Sequence, residues 1–96
     1  MDYRKIVPIQ GLVELNDPKN LEDFINQIIN MYFKATDVRT KESCLSVYMA
    51  FRDHYPSYLK SINLEKIKVL NDEIEKSSGK LIKLRRIALS ELAKVA

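Results

Sequence analysis

The residues of this chain that could do chemistry are few, and their spacing works against them. The one histidine, His54, stands in Arg52-Asp53-His54-Tyr55-Pro56. A catalytic imidazole needs a nucleophile to deprotonate and a carboxylate to orient it. Asp53 is adjacent, but sequence neighbours on a helix do not face each other, so His54 reads as a surface or boundary side chain. Cys44 has no second thiol and no matched histidine, so neither a zinc site nor a disulfide framework can be assembled around it. At an apolar helix position it behaves as a small hydrophobe. Ser78-Gly79-Lys80-Leu81 has the end of a phosphate-cradling loop. That loop requires an earlier glycine, a Ser or Thr after the lysine and a strand leading in, and Leu81 fails it. Asp72, Glu73 and Glu75, interleaved with Lys66, Lys68 and Lys76, form a solvated face of i,i+4 pairs. No nucleophile, base and oxyanion donor can be combined. The expectation is a non-enzymatic protein with no metal and no cofactor.

Two patterns point to binding instead. From Ile67 the apolar or small positions run Ile67, Leu70, Ile74, Ser77, Leu81, Leu84, Ala88 and on to Val95. Steps of three and four residues are the period of a helix burying one narrow seam against another helix. Ile67, Leu70, Ile74, Leu81, Leu84 and Ala88 are therefore the candidate partner-binding residues. Between them lies a basic stripe. Lys80 and Lys83 share a helix face, as do Lys83 and Arg86, while Arg85 points nearer the seam. Lys80, Lys83, Arg86 and Lys94 are the candidate nucleic-acid contacts. The bland alternative is a solvated basic face that favours the end of its helix through the macrodipole. Tyr48, Tyr55 and Tyr58, with Phe51, could stack on bases, but at helical spacing they read as core.

The elements that must carry these patterns are helices. Two glycines and three prolines among 96 residues leave few turns, and hence few, long elements. At this size one domain, residues 1–96, buries only roughly 60–65% of its unfolded surface. The net charge of +3 permits contact with nucleic acid without requiring it. No apolar run approaches the roughly 18 residues of a membrane span, and no secretory signal is visible. A cytoplasmic protein is expected.

Along the chain, residues 1–16 are expected to form an extended arm or a short strand pair turning at Gln10-Gly11, because Pro8 and Gly11 interrupt their apolar positions. The helical core is assigned to residues 17–96. Asp17-Pro18 signals a helix start, with Asn20 a rival cap. Leu21, Phe24, Ile25, Ile28, Ile29, Tyr32 and Phe33 mark one face of a helix ending near Ala35-Thr36. Asp37 or Thr40 caps the next helix, whose apolar face is Cys44, Leu45, Val47, Tyr48, Phe51 and Tyr55, and which Pro56 ends. Asn63 caps the last region. There, Lys76-Ser77-Ser78-Gly79 looks like a helix terminus and implies a hairpin, whereas the seam crosses Gly79 unbroken. The unbroken seam favours one helix of ~32 residues, about 48 Å long, kinked at Ser78-Gly79.

The stretch from Tyr55-Pro56-Ser57-Tyr58-Leu59 to Leu84-Arg85-Arg86-Ile87-Ala88-Leu89, with Leu92-Ala93 following, resembles the helical domain of GINS-type replication proteins. A small basic accessory subunit of an archaeal replicative DNA polymerase would look similar. The resemblance implies a helical accessory subunit whose partner is a DNA polymerase or replication complex. The combined expectation is an all-α bundle of three to five helices with an extended N-terminal arm and a long C-terminal helix. Such a protein docks on a larger protein by its seam and touches nucleic acid through its stripe. The alternatives are a small basic DNA- or RNA-binding regulator, and a self-assembling helical protein of viral or defence origin that pairs with its own copy as a homodimer.

Overall fold

A computed structural model describes residues 8–77 and 79–96. Five α-helices follow one another, α1 (Ile9–Asn16), α2 (Leu21–Lys34), α3 (Val38–His54), α4 (Leu64–Lys76) and α5 (Ile82–Val95), with a short 3-10 helix, Pro56–Leu59, after α3. There is no strand among the described residues. The boundaries follow from local chemistry. Asn20, not Asp17, caps α2: its side-chain oxygen accepts from the Asp23 N–H at 2.8 Å, and the Asp23 carboxylate accepts from the Lys19 N–H at 3.0 Å. Asp17 instead closes α1 in the left-handed region at φ 44°. Asp37 caps α3 by accepting from the Thr40 N–H at 2.8 Å, and Asn63 caps α4 by accepting from the Glu65 N–H at 2.7 Å.

The extended-arm expectation is corrected by α1. Pro8 only precedes the helix, as its fixed φ allows. Ile9 and Leu12, three residues apart, are buried while Gly11 stands beside them at the surface boundary. Tertiary burial of one apolar stripe outweighs the cost of about 1 kcal/mol for a helical glycine. The rest of the arm, residues 1–7 with Ile6 and Val7, lies outside the described residues.

The single long C-terminal helix is corrected as well. α4 stops at Lys76 and α5 begins at Ile82, and Gly79 turns the chain at φ 78°. The Lys80 N–H donates to the Ser77 carbonyl at 3.0 Å and the Ile82 N–H to the Gly79 carbonyl at 3.2 Å, closing the turn. A glycine in the left-handed region is what a helix end wants and a helix interior lacks.

Helix α3 is the axis of the molecule. α2 and α5 both pack on it, and α1 bridges α5 and α2. Every residue from Ser43 to Phe51 is buried. Its small side chains let two helices close in on opposite sides, and the Ser46 hydroxyl is satisfied by donating to the Glu42 carbonyl at 2.8 Å. Phe51 sits among Phe24, Tyr55 and Tyr58, with ring centroids 6.0 to 6.4 Å away. Tyr48 lies in the core and its hydroxyl donates to Asn71 Oδ1 of α4 at 2.8 Å. Two ion pairs tie this part of the chain to α3: Lys80, in the turn before α5, to Glu42 at 3.3 Å, and Arg85 of α5 to Asp53 at 2.6 Å.

Candidate docking site

The apolar seam faces inward. Leu70, Leu81 and Ala88 are buried, and Ile67, Ile74 and Leu84 are partly buried against the same core. The residues expected to form a partner-binding surface hold α4 and α5 onto their own chain. The break at Gly79 explains it: with the seam divided between two helices, each half packs against α3, and no outside helix is needed to cover them.

The basic stripe is divided. Lys80 pairs with Glu42, and Lys94 with the buried Glu91 at 3.1 Å. Arg85 pairs with Asp53. Lys83 and Arg86 are exposed and enter no ion pair among the described residues. Two free cations side by side on a helix are a thin electrostatic footing for nucleic acid, where each phosphate neutralised adds about one unit of salt dependence.

His54 is exposed in the last turn of α3, and Asp53 beside it is engaged by Arg85. Cys44 is buried, and burial pushes its thiol up to about 12, with Asp37 adding to the rise and Lys41 opposing it. No cluster of three metal-ligating side chains occurs among the described residues, and no described helix is long and apolar enough to cross a membrane.

A concave site does exist, and it lies elsewhere. The start of α1, the first turns of α3 and the middle of α5 enclose a groove of about 480 Å³, lined by Pro8, Ile9, Gln10, Arg39, Glu42, Ser43, Leu84 and Ile87. That volume is within the roughly 300–1,000 Å³ of ligand-sized clefts. Each side chain has a clear structural origin. Leu84 and Ile87, three residues apart, lie on the edge of α5 next to its buried face. Arg39 and Glu42 have the same spacing on α3, and Ser43 follows them. Ile9 points down into the core and leaves the edge of its side chain as floor, being 2% exposed. The Lys80 ammonium pairs with Glu42.

Of the residues singled out in the sequence, Leu84 lines this groove and Lys80 pairs with the groove-lining Glu42. Arg39, Glu42, Gln10 and Ile87 gave no signal as a group, because three distant stretches of chain contribute them. The one available clue was Ile9, Leu12, Val13 and Asn16, a helical spacing masked by Pro8 and Gly11. No known protein family, curated protein or solved structure matches this chain.

Proposed function

We propose that this chain is a non-enzymatic interaction subunit that docks on a larger protein, and that the groove between α1, α3 and α5 is its docking site. The observation supporting this reading is the groove's lining: Pro8, Ile9, Leu84 and Ile87 give an apolar floor, with Arg39 and Glu42 as charged side chains above it. Peptide-binding grooves use that combination, apolar pockets for anchors and charges for register. A setting in DNA replication, with a DNA polymerase or replication complex as partner, is proposed on the likeness of residues 55–93 to GINS helical domains. The test is site-specific photo-crosslinking in the native host. A crosslinker at Gln10 or Arg39 should trap one protein in stoichiometric yield, in nuclease-treated and untreated lysates alike. A crosslinker at Glu22 or Asn30, exposed on α2, should trap none. Equal trapping from both faces would refute the site.

A second reading, direct contact with DNA or RNA, is favoured by Lys83 and Arg86, which enter no ion pair among the described residues. It predicts an affinity for duplex DNA that falls with a log–log salt slope of about −2 and vanishes in K83E/R86E. A flat salt dependence would exclude it.

A further inference from the structure

We infer that the groove receives an amphipathic segment of a partner protein that is apolar along one side and carries carboxylates along the other. The inference deepens the docking reading and rests on it. It follows from which charges at the groove are already engaged. Glu42 is the groove's own carboxylate, and Lys80 holds it at 3.3 Å. Arg39 lines the groove, is exposed, and enters no ion pair among the described residues. Lys83 also enters no ion pair among the described residues, and, though it does not line the groove, it is exposed one turn before the groove-lining Ile87 on α5. Among the described residues, the cations left without an ion pair beside the groove are therefore Arg39 on the α3 side and Lys83 on the α5 side. The floor between them is apolar.

This combination discriminates among ligand chemistries. A nucleic-acid backbone presents phosphates and sugars and has nothing to set against the apolar Pro8, Ile9, Leu84 and Ile87. A purely apolar segment would leave the two cations unanswered. A segment with apolar side chains at i, i+3 or i+4 and Asp or Glu between them meets both the floor and the banks. The charges steer encounter and fix orientation, and the buried apolar anchors supply most of the affinity.

The test is selection of a displayed library of random 16-residue peptides on the immobilised full chain. The enriched pool should combine helically spaced apolar residues with an excess of Asp and Glu. Both substituted residues are exposed, so R39E/K83E should fold, as a circular-dichroism melt would verify. On that variant the enrichment should switch to Lys and Arg. Each single charge reversal should weaken a selected acidic peptide by about two- to fivefold or more, the range of rim ion pairs. A pool indifferent to charge, or one unchanged on R39E/K83E, overturns the inference. So does the absence of any enriched pool, or concentration-dependent self-association of the chain that Arg39→Glu abolishes. If the library fails while the crosslinker at Gln10 or Arg39 still traps one protein, the docking reading stands and only the acidic character of the partner falls.

Discussion

Helices α3 and α4 are similar in length and opposite in circumstance. Ten of the 17 residues of α3 are buried, against one of the 13 in α4, Leu70. Yet α4 carries the cleaner amphipathic pattern. The difference teaches that burial along α3 is won by small side chains as much as by large apolar ones. α3 contributes Thr40, Ser43, Cys44, Ser46 and Ala50 to the interior, and a helix flanked on both sides needs no single apolar face. α4 has one apolar edge, lies on the outside, and keeps Leu64 82% exposed and Val69 42% exposed. Its polar tie is Asn71, whose Oδ1 accepts from Tyr48 at 2.8 Å and from Arg52 Nη1 at 3.0 Å.

The sharpest way to break the comparison is Phe51→Ala in α3. Phe51 is fully buried and contacts three other rings. Its removal should cost about 3–5 kcal/mol, a large part of the ~5–15 kcal/mol a small domain possesses. Urea denaturation would measure it, and a loss under ~1 kcal/mol would mean that α3 is not the axis. Leu70→Ala is the matching change in α4. It removes that helix's one buried side chain and should cost about 2 kcal/mol, the low end for a leucine, because an outer helix can open by itself. Native-state hydrogen exchange should show α4 amides losing protection while those of α3 and α5 keep theirs. Uniform loss throughout would make α4 an integral part of the core.

Such contrasts were only partly legible in the chain. α2 was readable because Asn20 and Asp23 make its cap and Leu21 to Tyr32 repeat at one spacing. The end of α3 was readable because Pro56 forbids continuation. The chemistry of a helix terminus at Lys76-Ser77-Ser78-Gly79 was present too, but the seam ran through it in frame. Two successive helices that bury against one core can keep their apolar positions in step, so periodicity alone does not separate two helices joined by a turn from one long helix. The seam likewise announces burial without saying whether the cover is another molecule or α3. The breadth of α3's burial was hidden because serine, threonine and alanine carry no hydrophobic signal. The groove was hidden more completely, since α1, α3 and α5 supply it from residues some 80 positions apart at the extremes.

The interior of α3 also predicts a pH response. Burial raises the Cys44 thiol from an ordinary value of 9.0 to about 12. The unfolded chain releases that proton first, so it binds fewer protons than the native state between those values. Stability is therefore complete below pH 9 and falls as pH rises towards 12, by about 1.4 kcal/mol per unit from this group. Tyr48 and Tyr32, both raised chiefly by burial, steepen the fall above pH 10. Denaturation midpoints between pH 8 and 10 should drop in the parent and drop less in Cys44→Ala. Equal slopes would mean that the thiol is not held in a dry interior.

The smallest effect tests how α5 is fastened to α3. Arg85 Nη1 lies 2.6 Å from Asp53 Oδ2, but the two side chains are 38% and 29% exposed, so solvent screens the attraction. A double-mutant cycle of Arg85→Ala and Asp53→Ala should give a coupling of about 0.5 kcal/mol, and less in 1 M salt. That would leave α5 held by Leu81, Ala88 and Leu92, all buried to 1% exposure or below. A coupling above ~2 kcal/mol would reverse the order. The pair would then fix the crossing of α5 over the end of α3, and the apolar contacts would merely fill the space beneath it. Because Leu84 and Ile87 lie on the same helix as Arg85, the groove would then depend on that ion pair, and high salt would loosen the docking site along with the fold.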